Sequence, residues 1–251
     1  MAGVLASSVL TRSYPLSLPN PVPLASTNTK AGAVIYDNLG VYNLVVGPVT
    51  DGKLQEFAGQ PTPRFTHFFN TTITRESPTS TGTYSEGDVT RVFWRLSIPV
   101  EEATQGHFTS RGQVGPLEPT QTFTGTVDVR YTATVNNIKR TTLIGELKTP
   151  GVIRRNQWED PNNAAALKST LGKEMRWYAT KYQSPLAFVF DGASFLAIRF
   201  HVQDMTVQEF QQADCTVFLL SGTDPCLRKL ILRMLVLGEI YAAARPTQPR
   251  P

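Results

Sequence analysis

The stretch of residues 126–150, TVDVRYTATVNNIKRTTLIGELKTP, constrains the fold of this chain more than any other. Two strand-like runs flank a central Asn-Asn dipeptide, which predicts two strands joined by a turn. Side chains alternate between the two faces of a strand, so Glu146 and Lys148 share one face. Hairpin pairing can bring Asp128 alongside them. We therefore expect two carboxylates and one ammonium on one face of a sheet.

This set of side chains suits the hydrolysis of a phosphodiester. Mg²⁺ held by one or two carboxylates neutralises phosphate oxygens and lowers the pKa of a bound water, and Mn²⁺ is the expected substitute. A nearby lysine can orient the water or offset charge in the transition state. The backbone carbonyl of Leu147 is a further candidate ligand, and Gly145 fits the close approach of a backbone or ligand.

A purely structural interpretation competes with the metal site. Strands often carry Glu and Lys on their solvent face, where Glu146 and Lys148 would form an ion pair worth less than about 1 kcal/mol. Asp128 would then be an ordinary carboxylate at a strand edge. Against this, residues 143–148 (LIGELK) change abruptly from apolar to charged within what the pattern predicts to be a central strand. Charges at the end of a buried strand are costly, which favours a functional site.

The excess positive charge of the chain is concentrated around the hairpin and the helix predicted after it. The chain of 251 residues has a net charge of +4, and residues 139–181 hold nine basic against four acidic side chains. A basic surface beside a metal site favours a polyanionic partner, DNA rather than RNA, although a solvated helix face is the alternative. The candidate nucleic-acid contacts are Arg154, Arg155, Lys173 and Arg176.

The order of predicted elements is helix, strands, helix, strands, helix. Ser85 caps the first helix, which we expect Pro99 to end or bend. Apolar residues at helical spacing predict a second helix before Tyr182, and the Asp191-Gly192 dipeptide predicts a second hairpin. This order indicates a mixed α/β fold with a central mixed sheet flanked by helices.

One domain is expected from the length of the chain. Residues 1–30, rich in Pro, Ser and Leu, predict a flexible tail, and 246–251 a second tail. The domain then covers 31–245, with a core at about 85–203 and a C-terminal helix at about 225–244. No motif distinguishes residues 31–80.

Several features bear on the compartment and on other kinds of site. The chain has two cysteines, Cys215 and Cys226, without the spacing of a zinc site, which indicates reduced thiols inside a cell. No apolar run approaches the roughly 20 residues that span a bilayer. We expect a location in the nucleus or cytoplasm, with delivery into a host cell as an alternative. The acid-poor N-terminus leaves a transit peptide as a further alternative. The three histidines, His67, His107 and His201, have no partners at ligand spacing and are expected to be structural.

The order VDV, LIGELK, a helix and VFDG resembles the PD-(D/E)XK nuclease superfamily, which has a restriction-endonuclease-like fold. It looks closest to the fungal nuclease-like members and to the nuclease domains of Crinkler-type effectors. The resemblance covers about residues 85–203 and implies a core of a helix, a three-stranded antiparallel meander, a second helix and a further strand. Val127 stands where the superfamily expects a proline, which lowers the specificity of the motif.

The resemblance also implies a role for individual residues. Asp128 and Glu146 would be the metal-binding carboxylates and Lys148 the catalytic lysine. Four accessory candidates follow from the flanking helices: Glu86, Asp88, Glu174 and Tyr178. Glu86 and Asp88 are more typical of acidic partners of the helix dipole in a first turn than of metal ligands. Glu174, which replaces a glutamine of some relatives, could simply pair with neighbours of Arg176 or face solvent.

Two functions of different classes follow from these observations. The first is a magnesium-dependent nuclease that hydrolyses DNA, with RNA as the alternative substrate. The second is a catalytically silent module on the same fold that binds nucleic acid or another protein. Metal-dependent cleavage separates the two, because a silent module binds nucleic acid with strong salt dependence and does not cut it.

Overall fold

The computed structural model of the chain describes residues 3–12, 39, 42–74, 85–117, 125–162 and 170–245. The expected N-terminal tail is wrong for residues 3–12, which form β1 (Val4–Leu5) and α1 (Ala6–Leu10). Ala6 and Leu10 are fully buried in the core, and the Arg228 guanidinium donates to the Val9 carbonyl at 3.0 Å. The remainder of that predicted tail and the predicted tail at 246–251 lie outside the described residues.

A seven-stranded mixed sheet forms the centre of the molecule. Its strands are β2 (Tyr42–Val46), β4 (Thr109–Val114), β5 (Val127–Val135), β6 (Ile138–Leu147), β7 (Leu186–Phe190), β8 (Ser194–Phe200) and β9 (Cys215–Ser221). They lie in the order β2-β9-β8-β7-β6-β5-β4, while the short β3 (Thr72–Ile73) pairs with β1 alone. The pairs β6-β7 and β2-β9 are parallel, and the other neighbours are antiparallel.

Helices cover both faces of this sheet, which confirms the predicted mixed α/β architecture. They are α2 (Asp51–Ala58), α3 (Pro63–Phe69), α4 (Glu86–Ala103), α5 (Arg155–Trp158), α6 (Thr170–Tyr182), α7 (Val207–Gln212) and α8 (Leu227–Ala244). One hydrophobic core lies between the sheet and α1–α4 with α8. A second core lies between the opposite face and α5–α7. Within the described part of the chain, no helix is long and apolar enough to cross a membrane.

Both predicted hairpins are present. Asn136 and Asn137 join β5 to β6 with φ angles of 52° and 62°, a left-handed conformation that asparagine tolerates better than most residues. Between β7 and β8, Gly192 has a φ of 83°, where a residue with a Cβ would be strained. In each case the local sequence already favours the turn.

The first long helix differs from its prediction at one point. Ser85 caps α4 as expected, in a capping box in which Asp88 accepts the Ser85 backbone N–H at 3.1 Å. Of the two outcomes expected at Pro99, an end of the helix is wrong, because α4 continues through it to Ala103, and a bend stays a prediction. Val100 and Ala103 are fully buried against the sheet, and this burial offsets the hydrogen bond that a proline removes. The C-terminal helix begins at Leu227, two residues later than predicted.

Candidate active site

The β5-β6 register sets Asp128 against Glu146. Val129 is paired with Gly145 in the antiparallel ladder, so one step further the register places Asp128 opposite Glu146. The Asp128 carboxylate accepts the backbone N–H of Leu147 at 2.8 Å, which ties the two strands at this point. The hairpin therefore places the two acidic residues opposite each other on neighbouring strands.

Lys148 completes the face that the alternation predicted. On β6, Leu143 and Leu147 pack in the core under α4 and α8, whereas Ile144 packs under α6. Glu146 and Lys148 therefore point toward α6. The Lys148 ammonium lies 3.1 Å from Glu146 Oε2, with exposed side-chain fractions of 9% and 2% respectively. This is a buried ion pair, so the interpretation as a solvent-exposed pair is wrong.

Helix α6 contributes a second carboxylate to the ion pair of Lys148 with Glu146. Glu174 Oε2 lies 3.4 Å from the Lys148 ammonium, and the Glu174 side chain is 8% exposed. The expectation that Glu174 could simply face solvent is therefore wrong. One ammonium joins two carboxylates that come from different elements of the fold, β6 and α6.

Tyr178 follows Glu174 by one helical turn and faces the same cluster. Its hydroxyl donates to Glu174 Oε1 at 3.4 Å, and the residue is fully buried. Burial raises the pKa of Tyr178, and the neighbouring carboxylates of Glu146 and Glu174 raise it further. The hydroxyl therefore stays protonated and serves these carboxylates as a hydrogen-bond donor.

The electrostatics of the cluster favour a charged lysine. Burial lowers the pKa of Lys148, but the carboxylates of Glu146 and Glu174 outweigh that effect and raise it above its ordinary value. Asp128 adds to the same effect from the neighbouring strand. Lys148 is thus an ammonium at neutral pH, in contact with the carboxylates of Glu146 and Glu174.

The side chains fit a hard cation in chemistry but are arranged as an ion-paired cluster. Carboxylate oxygens are the donors that Mg²⁺ and Mn²⁺ prefer. Among the described residues, however, no group of three or more His, Cys, Asp or Glu side chains is placed to hold a metal ion. The ammonium of Lys148 occupies the space between Glu146 and Glu174. The backbone N–H of Leu147 donates to Asp128, and coordination of a metal by the Leu147 carbonyl stays a prediction.

Gly145 gives room to an aromatic ring within the sheet. A Cβ on this residue would lie 2.0 Å from an atom of the Phe188 ring, which sits on the neighbouring strand β7. The close approach that the sequence predicted at Gly145 is therefore made by a side chain of the core. The absence of a side chain on Gly145 lets the Phe188 ring pack against β6, next to Glu146 in the sequence.

The acidic residues of α4 have the alternative role that the sequence offered. Asp88 closes the capping box and lies 3.4 Å from Arg91, while Glu86 is exposed in the first turn. The apolar side of α4 packs in the core on the face opposite α6. Asp88 is thus a capping residue, and neither acid lies on the helix that carries Glu174.

The predicted nucleic-acid contacts divide into buried and exposed residues. Arg176 is 2% exposed and donates to the backbone carbonyls of Phe210 and Ala213, so its assignment to nucleic-acid binding is wrong. Arg155 is ion-paired with Glu159 at 3.1 Å within one turn of helix. Arg154 is exposed and Lys173 half-buried, which leaves these two available to a ligand.

Trp177 belongs to the second hydrophobic core. It is 7% exposed and stacks on Tyr178 with ring centroids 5.1 Å apart. Two of the three histidines make side-chain contacts within the fold. His107 pairs with Glu239 at 2.9 Å and His201 with the Thr216 hydroxyl at 2.9 Å.

Asp191, which the sequence predicted only as part of a turn, is a buried carboxylate hydrogen-bonded to the loop that follows Lys148. It is fully buried directly after β7, whose last residue Phe190 accepts the N–H of Lys148 at 3.0 Å. The Asp191 carboxylate accepts four backbone N–H groups, from residues 151, 153, 193 and 194. Burial raises its pKa even though these donors act in the opposite direction. The Asp-Gly dipeptide predicted only a turn, and the buried carboxylate in it fixes the loop that follows Lys148.

Tyr182 is a second residue that sequence reasoning passed over. Its hydroxyl donates to the Val114 carbonyl at 2.6 Å and accepts the Val127 N–H at 3.1 Å, one residue before Asp128. Tyr182 lies one helical turn after Tyr178, so the same face of α6 holds β5 in place and contacts Glu146. The four-residue spacing of Glu174, Tyr178 and Tyr182 was the available signal.

Comparison of the chain with protein-family models, with curated proteins and with solved structures yielded no match. The fold is a mixed α/β sheet flanked by helices, and the class of site it carries is a buried cluster of acidic residues around one lysine.

Proposed function

We propose that this chain is a metal-dependent nuclease of the PD-(D/E)XK type. The observation that carries the proposal is the convergence of Asp128, Glu146 and Lys148, with Glu174 added from α6. The order of α4, the antiparallel meander β4-β5-β6, α6 and the strand β7 parallel to β6 supports it, because the superfamily core has this order.

The residues of the cluster have distinct tasks under this proposal. Asp128 and Glu146 would hold Mg²⁺, which when bound neutralises phosphate oxygens and lowers the pKa of a water. Lys148, charged at neutral pH, orients the water or stabilises negative charge on the phosphate. Tyr178 donates to Glu174 and fixes its side chain. The burial of these groups strengthens their electrostatic effect, because little water screens them.

The proposed substrate is DNA, with RNA as the alternative. Arg154 lies on the loop after Lys148, and Lys173 precedes Glu174 on α6. Positive side chains beside a phosphodiester site bind the backbone of a nucleic acid and carry no sequence preference of their own. This arrangement supports a polyanionic substrate held across the end of β6.

A silent binding module is the competing function, and one observation favours it. The Lys148 ammonium already contacts both Glu146 and Glu174, so each of these buried carboxylates has an ion-pair partner from the protein itself. In that case the cluster serves the fold, and any binding of nucleic acid depends on surface charge.

Cleavage of plasmid DNA tests the proposal. We expect nicking with Mg²⁺, its loss with EDTA, and a reduction of about 100-fold or more in Lys148→Met. Lys139→Met is the matched control, since it removes the same charge from an exposed position at the far end of β6. Equal activity in wild type and Lys148→Met would refute the assignment, and binding without cleavage would favour the silent module.

A further inference from the structure

We propose that the cavity between α3, α8 and the β5-β6 turn is a binding site for a small organic carboxylate with an apolar body. The cavity has a volume of about 980 Å³, within the usual range of ligand pockets. Its apolar lining belongs to the core on the face of the sheet opposite α6. The inference is therefore independent of the proposed nuclease function.

A group of polar side chains from three parts of the fold meets at one wall of this cavity. Glu239 on α8 accepts through Oε1 from the Arg64 guanidinium on α3, and His107 Nε2 lies 2.9 Å from the same oxygen. The Glu239 side chain is 12% exposed, whereas that of Arg64 is 48% exposed. The ion pair thus holds the guanidinium at the wall and leaves much of its surface uncovered.

The Arg64 guanidinium keeps the donors that recognise a carboxylate. Its side-chain hydrogen bonds to the described residues all use Nη1. The Nε and Nη2 groups lie side by side in the planar fork that binds both oxygens of a carboxylate. Because Glu239 offsets part of the charge of Arg64, a singly charged carboxylate suits this wall better than a doubly charged phosphate.

Apolar side chains form the opposite part of the cavity. Phe68, Val135 and Val236 line it and are buried in the first core. Ile240, four residues after Val236 on α8, lines the same cavity but is 47% exposed. A ligand whose apolar body covers Ile240 removes this surface from water, which favours binding in a way that an inorganic anion does not. A guanidinium fork beside an apolar wall therefore selects an amphiphilic carboxylate.

Calorimetric titration with probes of equal chain length tests the proposal. Decanoate, below its micelle concentration, should bind wild type at one site and at least about 10-fold more tightly than decanol or decylamine. Arg64→Met should weaken decanoate binding by at least about 10-fold. Arg91→Met is the matched control, since it removes an arginine of similar exposure from α4, and should leave the affinity unchanged. Absence of decanoate binding, equal binding of decanol or tighter binding of decylamine would overturn the proposal.

The apolar wall provides a second test, which covers the case in which Arg64→Met does not fold. Ile240→Ala changes an exposed position and should weaken decanoate binding several-fold. Val207→Ala, at a similarly exposed apolar residue of α7, is the control and should not change it. In wild type with isotope-labelled methyl groups, decanoate should shift the resonances of Ile240 and not those of Val207. Unchanged affinity in Ile240→Ala, or unshifted Ile240 resonances at saturation, would overturn the proposal as well.

Discussion

The carboxylate of Asp128 accepts the backbone N–H of Leu147 at 2.8 Å, across the two strands that carry the cluster. The same side chain lies opposite Glu146 in the β-ladder and raises the pKa of Lys148 through its charge. Asp128 thus links the backbone of β6 to the electrostatics of the site. Its structural contribution and its proposed contribution to metal binding can be separated by substitution.

Asp128→Asn should keep the fold and lose the metal-dependent activity. Asparagine retains an oxygen that can accept the Leu147 N–H but has no negative charge. We expect a free energy of unfolding within about 0.5 kcal/mol of wild type, whereas Asp128→Ala should lose about 1 kcal/mol more because the N–H loses its acceptor. Urea unfolding measures the stability of both variants, and plasmid nicking measures the metal-dependent activity. Full activity in Asp128→Asn would remove this residue from the metal site.

Asp191→Ala should destabilise the protein substantially. The substitution leaves four buried or half-buried backbone N–H groups without the carboxylate that accepts them. We expect a loss of about 2–4 kcal/mol in thermal or urea unfolding, since unsatisfied buried donors are expensive. Asp204→Ala, at an exposed position, is the control and should change stability by less than about 0.5 kcal/mol. A small effect of Asp191→Ala would show that the loop after Lys148 holds its place without this carboxylate.

Gly145→Ala should destabilise the sheet behind Glu146. The added methyl would overlap the Phe188 ring at 2.0 Å, and the ring is enclosed by the core. Overpacking of this kind costs about 1–3 kcal/mol. Gly52→Ala is the matched control, because its methyl would meet no atom within 4 Å and alanine favours the helix. If chemical denaturation gave equal stabilities for Gly145→Ala and wild type, β7 would have to be able to move away from β6.

Arg154 and Arg176 should differ sharply in what they contribute. Arg176→Met removes a buried guanidinium that holds α7, so we expect lower stability and little change in nucleic-acid affinity. Arg154→Met should leave stability within about 0.5 kcal/mol and reduce the slope of log affinity against log salt by about 0.9, the effect of one phosphate contact. Fluorescence anisotropy with labelled DNA at several salt concentrations measures this slope. Identical slopes for wild type and Arg154→Met would place the nucleic acid elsewhere.

The two cysteines should react at very different rates in the native protein. Cys215 is fully buried, and burial raises its pKa to about 12, so that it is neither accessible nor ionised at pH 8. Cys226 is half-buried at the start of α8 and accessible to reagent. Alkylation with iodoacetamide should modify Cys226 alone in native protein and both residues in urea. Cys226→Ser should abolish native labelling, and rapid modification of Cys215 would contradict its position in the core.

Local features of the fold were predictable because they depend on neighbouring residues. The Asn136-Asn137 turn, the Ser85 cap and the shared face of Glu146 and Lys148 follow from backbone preferences and from the period of a strand. The mixed α/β class follows from the order of such elements. These features require no knowledge of what lies on the other side of the sheet.

The tertiary structure alone decided which charges are buried and with what partner. The sequence contained Arg154 and Arg176 in one basic window, but packing of α6 against α7 buries the second and leaves the first exposed. The sequence also held no indication that Glu174 pairs with Lys148. The two side chains come into contact only because α6 packs over β6. Residues 3–12, which by composition resemble a tail, join the core through contacts with distant helices. Whether a side chain is buried depends on elements that lie far apart in the chain. For that reason the acidic residues and the lysine of the candidate site could be predicted from the sequence, whereas their burial and their ion pairs could be seen only in the tertiary structure.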